Sequence, residues 1–177
     1  MYIWLGINVS DQLREVEAKA REVEDRIGFA NSNFTLPFHI SLKISFPVQD
    51  EEFDQVVRTV EEYYSSLSRF EIKVRGIENE GTIAWIRMER NSVLDRVHDD
   101  LNRILLEKHN VPLHEYDTDY KYHTTLFMDS DQSKIASAAA QMDGIPLPKV
   151  LTVSRLLIGC SQTGALGTYR IYREYLI

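Results

Sequence analysis

Two short stretches carry the residue types of proton-transfer chemistry. His39-Ile40-Ser41-Leu42 and His123-Thr124-Thr125-Leu126 each set an imidazole two positions ahead of a hydroxyl and close on a leucine. An imidazole with an ordinary pKa near ~6.5 is present both neutral and protonated around neutral pH, so a pair of them can take one proton and give another. If each stretch is extended, the hydroxyl two residues on projects from the same face, roughly 6.5 Å along the strand. It can then donate to an anionic group while the imidazole moves a proton beside it. A histidine on the polar face of one strand is ordinarily a solvated surface residue. Recurrence of the whole pattern gives the pair its weight. A zinc site would need three or four ligands at short spacing, and neither stretch has a second His or Cys nearby, so no metal is expected.

The elements that position these residues follow from periodicity. From Phe38 to Phe46 the chain alternates strictly, with Phe38, Ile40, Leu42, Ile44 and Phe46 on one face and His39, Ser41, Lys43 and Ser45 on the other. That is a strand with one buried face. In the second stretch Lys121, His123, Thr125 and Phe127 share a face. The same reasoning predicts strands over 2–9, 38–46, 70–78, 82–90, 120–128, 151–159 and 168–176, and helices over 11–27, 51–67, 92–109 and 131–142. Leu13, Val16, Ala20, Val23 and Ile27 recur at helical spacing after Ser10, a candidate cap, and Leu94, Val97, Leu101 and Ile104 do so after Ser92. Asp50, Glu51 and Glu52 open the second helix, where its dipole favours negative charge.

The halves of the chain repeat one another. Leu13, Val16, Ala20 and Val23 match Leu94, Val97, Leu101 and Ile104 at a constant offset of 81, and Trp4-Leu5 matches Trp85-Ile86 at the same offset. His123 follows His39 by 84, a net gain of three residues in the intervening loop. The expected architecture is an α+β fold of two pseudo-symmetric lobes, each an antiparallel sheet with helices on its outer face, around a central cleft. Residues 1–177 form one bilobal domain with an internal duplication of about 1–81 and 82–177.

A doubled His-x-[Ser/Thr]-apolar pattern, each copy on a strand and about 80 residues apart in a chain of this size, resembles the two-histidine (2H) phosphoesterase superfamily. That superfamily includes the bacterial RNA 2′,3′-cyclic phosphodiesterases, also called 2′-5′ RNA ligases. The resemblance implies two lobes facing across a cleft, with His39 and His123 as the catalytic pair and Ser41 and Thr125 in contact with the phosphate. It implies hydrolysis of a 2′,3′-cyclic phosphate or a related 2′-linked diester on a nucleotide or RNA end, with no cofactor. Many members carry Pro directly before the motif histidine and Arg shortly after the second motif; Phe38, Tyr122 and Phe127-Met128 stand there in this chain. The alternative from another class is a nucleotide-binding module that uses the same cleft without turnover. A scaffold with an inert cleft is a third.

Other residues could serve the cleft. Trp4 and Trp85 point away from the apolar faces of their strands, either to stack a base or to cover apolar surface between the lobes. Lys43 could attract phosphate or stand solvated. Tyr120, Lys121 and Phe127 are weaker candidates, and Tyr169 to Arg173 could offer a tyrosine or an arginine. Of the remaining histidines, His98 is expected half exposed on its helix, His109 near a helix end, and His114 in the loop before the second motif.

A net charge of −7 argues against broad electrostatic capture of nucleic acid, though not against a phosphate held by a few placed groups. No apolar run approaches the roughly 18 residues of a membrane span. The lone Cys160 excludes an internal disulfide and suits a reducing, cytoplasmic setting, in which the Asn33-Phe34-Thr35 sequon has no meaning. Nothing indicates an oligomer.

Overall fold

The first half of the chain sends one helix and one strand into the second lobe, and the second half returns one helix and two strands. The computed structural model describes residues 1–29 and 36–177, so the Asn33-Phe34-Thr35 sequon lies outside the described residues. Its strands are β1 (Tyr2–Asn8), β2 (His39–Pro47), β3 (Phe70–Asn79), β4 (Ile83–Met88), β5 (His123–Met128), β6 (Val150–Val153), β7 (Arg155–Ser161) and β8 (Arg170–Leu176). Its helices are α1 (Arg14–Ile27), α2 (Phe53–Ser65), α3 (Ser92–His109) and α4 (Gln132–Ala140).

The strands form two four-stranded antiparallel sheets, in the orders β2-β1-β7-β8 and β5-β4-β3-β6. Helices α2 and α3 pack on the first sheet, and α1 and α4 on the second. Tyr64 of α2, for example, donates to the Leu157 carbonyl of β7 at 3.3 Å. Thus α1 and β3 come from the first half but build the second lobe, while α3, β7 and β8 do the reverse. The limits of the sequence repeat are therefore not the limits of the lobes. The single strand expected over 151–159 divides for the same reason: β6 pairs with β3 in one sheet and β7 with β1 in the other, and Ser154 is the joint.

The helices bury the stripes their periodicity marked. Leu13, Val16, Ala20 and Val23 are at most 2% exposed, as are Leu94, Val97 and Leu101; Ile27 and Ile104 are half-buried, and in α3 the buried stripe runs on through Leu105 instead of Ile104. Two start signals lie elsewhere than expected. Ser10 does not cap α1: residues 10–13 form a turn whose Leu13 N–H bonds the Val9 carbonyl, and α1 begins without a side-chain cap. Asn91, not Ser92, caps α3, accepting the Leu94 N–H at 2.8 Å. Asp50–Glu52 make a 3₁₀ turn ahead of α2. His98 faces inward at 3% exposure, contrary to the half-exposed expectation, because α3 turns that side against Tyr120 and Tyr122.

Candidate active site

The two histidine strands are both sheet edges, and they lie side by side where the lobes meet. A pocket of about 110 Å³ spans the seam. Its walls include Pro37, Phe38 and His39 on one side, Thr124, Thr125 and Met128 on the other, and Leu166 from the β7–β8 loop. His39 and Thr125, which come from different motifs, therefore share one cavity.

Both imidazoles are held in the same way. His39 Nδ1 lies 2.8 Å from the Pro37 carbonyl and His123 Nδ1 2.6 Å from the Lys121 carbonyl, in each case two residues back. A carbonyl only accepts, so each Nδ1 carries the hydrogen and each Nε2 is left to give or take a proton. A tryptophan supports each ring: Trp4 meets His39 edge-on with centroids 4.4 Å apart, and Trp85 meets His123, tilted, at the same separation. Burial pushes the His39 imidazole down from 6.5 to about 4; the Pro37 carbonyl partly offsets this, and the proximity of His123 adds to it. His123 is lowered too, first by burial, with Arg87 and Lys121 opposing its charge and the Lys121 carbonyl and Glu80 favouring it.

The tryptophans lie on the histidine face but have little free ring to offer a base, at 6% and 8% exposure. Trp4 lies flat on the sheet: a Cβ at Gly6 or Gly159 would come within 2.3 or 2.6 Å of its ring. From there its Nε1–H donates to Ser41 Oγ at 2.8 Å. Burial raises the Tyr120 hydroxyl pKa, and nearby Ser41 opposes that rise.

Lys43 is not on the cleft face. It is 1% exposed, and its ammonium pairs with Asp117 and donates to the Pro112 carbonyl at 3.3 Å. Register explains the displacement. Gly6 pairs with Ser41 but Leu5 with Lys43, so Leu42 is an extra residue that turns Lys43 toward the face of buried Leu5. A second extra residue before Phe46 restores the alternation. Phe127 goes the same way: an irregularity between Ala84 and Trp85 pairs it with buried Ala84, and it is 0% exposed in the core. Lys121 is exposed and pairs with Glu80 at 3.2 Å. Tyr169 bonds Ser45 through its hydroxyl. His114 caps a turn over Glu115–Asp117, and His109 lies 2.8 Å from the Thr59 hydroxyl, so neither belongs to the pocket.

Asp117 holds the chain between α3 and β5 against β2. It accepts from Lys43 and from the His114 N–H at 2.8 Å, and His98 stands 3.7 Å from its other oxygen. Burial alone would raise its carboxyl, but His98, Lys43 and the His114 N–H outweigh that and hold it at about 2. Among the described residues no group of three or more His, Cys, Asp or Glu could hold a metal ion, and no helix is long and apolar enough to cross a membrane.

The model of the 2′-5′ RNA ligase superfamily matches residues 31–159, a span that takes in both histidine strands. The chain belongs to the 2′-5′ RNA ligase superfamily. Solved structures agree with that family's fold. TT0787 of Thermus thermophilus is 16% identical, with a TM-score of 0.68 over 99% of this chain and 97% of that one. E. coli LigT complexed with 3′-AMP is 14% identical, with a TM-score of 0.61 over 99% and 96%. LigT complexed with ATP is 14% identical, with a TM-score of 0.60 over 99% and 97%. No curated protein matches the chain in sequence.

Within this superfamily frame, sequence reasoning missed Asp117 and Arg87. Alternation could have marked Arg87. Nothing local marks Asp117, whose partners Lys43 and His98 are 74 and 19 residues away.

Proposed function

We propose that the protein is a metal-independent phosphoesterase that opens a 2′,3′-cyclic phosphate, or cleaves a related 2′-linked phosphodiester, on a nucleotide or RNA end. The observation that carries this reading is the matched pair of imidazoles. Each is fixed through Nδ1 to a backbone carbonyl, and they stand on adjoining edge strands, whose seam holds a pocket lined by His39 and Thr125. One Nε2 takes a proton from water as the water oxygen bonds to phosphorus. The P–O bond to the ribose oxygen breaks, and that oxygen receives the proton of the other imidazole. The rings end with their protonation states exchanged. Ser41 and Thr125 donate to the non-bridging oxygens, Ser41 being oriented by Trp4. Trp4 and Trp85 then act as positioning residues behind the histidines rather than as stacking surfaces, and Lys43 acts through Asp117. Superfamily membership supports the reaction class, and LigT structures holding 3′-AMP, phosphate, ATP and NADP+ support a nucleotide or phosphate ligand.

One observation favours the binding-module alternative. Both imidazoles are shifted toward their neutral form, and a free site with no protonated ring lacks its acid. Turnover separates the two readings. With a 2′,3′-cyclic nucleotide, His39→Ala and His123→Ala should each lose roughly 10²–10⁴-fold in kcat with circular dichroism unchanged. Full activity in either variant would overturn the assignment, and binding without product in the wild type would favour the module.

A further inference from the structure

Strand β4 presents Trp85 and Arg87 on the face of Thr125 and His123, their direct cross-strand partners. The Arg87 side chain is 14% exposed, and its guanidinium carbon lies 5.4 Å from the centre of the Trp85 ring. Its Nε and Nη1, and the Nε1 of Trp85, are buried and find no hydrogen-bond partner among the described residues. Glu78 stands 3.5 Å from Nε, within ion-pair range but not hydrogen-bonded, and its other oxygen pairs with Arg75 at 3.0 Å. A buried N–H without an acceptor is costly. Three such donors on two neighbouring side chains of one face ask for the oxygens of an anion.

The first sheet has no counterpart. At the offset of 81, Gly6 stands where Arg87 does. Gly159 pairs with Trp4 where Glu78 pairs with Trp85. Trp4 occupies that glycine floor and spends its N–H on Ser41. The two halves of the cleft are thus alike in their histidines and unlike in charge: among the described residues Arg87 stands beside His123, while Lys43 of β2 turns away from the cleft face.

We infer that Arg87 is the anion-holding group of the cleft, its guanidinium taking non-bridging oxygens of the substrate phosphate beside His123. This rests on the phosphoesterase reading for the identity of the anion, but the anion site itself is testable apart from turnover. Inorganic phosphate is the probe, titrated calorimetrically at pH 7 into wild type, Arg87→Lys and Arg87→Gln, alongside steady-state kinetics on a 2′,3′-cyclic nucleotide. Arg87→Gln should weaken phosphate binding and raise KM by roughly ten- to a hundredfold, with a smaller change in kcat, and Arg87→Lys should recover part of both. Removing the charge should also raise the His123 pKa seen by NMR, whereas Arg87→Lys, which keeps the charge, should leave it lowered. In the wild type, phosphate should shift the Arg87 Nε–H resonance, a measurement that needs no variant to fold. An unmoved resonance, or a folded Arg87→Gln with wild-type phosphate affinity and KM, overturns the inference while leaving wild-type turnover to stand. Absence of wild-type turnover, with phosphate binding still dependent on Arg87, removes the reaction and keeps the anion site.

Discussion

The depressed His39 imidazole sets a sharp expectation for pH. A fall from 6.5 to about 4 corresponds to about 3 kcal/mol against the protonated ring. At pH 7 roughly one free molecule in a thousand then carries a proton on His39. A bound phosphodiester anion is present as a unit charge throughout the accessible pH range. At about 4 Å and an effective dielectric near 20, its attraction for an imidazolium is about 4 kcal/mol, enough to offset the effect of burial. The sign follows: in the free protein the charged form disappears as pH rises through about 4, and ligand binding moves that loss upward. Profiles of kcat/KM, which report the free protein, should peak well below pH 6.5 and fall about tenfold per unit above it. Profiles of kcat should hold to distinctly higher pH. NMR titration of the His39 ring should give about 4 without ligand and a clearly higher value with inorganic phosphate. A free His39 titrating at 6.5 or above, or two superimposable rate profiles, would refute the reasoning.

The same shift bears on stability. The folded His39 pKa lies below the unfolded one, so stability is lost as pH falls from about 6.5 toward 4, and His39→Gln should unfold less readily than wild type over that window in denaturant melts. Asp117, held at about 2, adds stability present above about 4 and lost as pH falls toward 2; Asp117→Asn should lack that acid limb. Lys43→Met leaves a buried carboxylate unpaired and should cost about 3–5 kcal/mol in chemical denaturation, with Lys43→Met/Asp117→Asn recovering most of it. If the double variant is no better than the single, the pair is not what the burial of Lys43 requires. Gly159→Ala should push Trp4 off the sheet, break its bond to Ser41 and cost about 1–3 kcal/mol, seen as a lower melting temperature and altered tryptophan emission.

The sequence by itself determined the kinds of element and the identity of the two histidine motifs. Both are encoded locally: alternation over Phe38–Phe46 and the three-and-four spacing of Leu94, Val97, Leu101 and Ile104 express which side of a strand or helix meets water. The matched spacing of Leu13, Val16, Ala20 and Val23 with Leu94, Val97, Leu101 and Ile104 was legible for the same reason. Tertiary structure alone decided which lobe each element joins, because α1, β3, α3, β7 and β8 cross over to pack with segments far away in the chain. It also decided the fate of Lys43 and Phe127. A β-bulge is a mismatch between two strands, and one strand read alone carries no record of its partner's register. The charge asymmetry of the cleft belongs there too: Arg87 acquires its place beside His123 only when β4 and β5 pair.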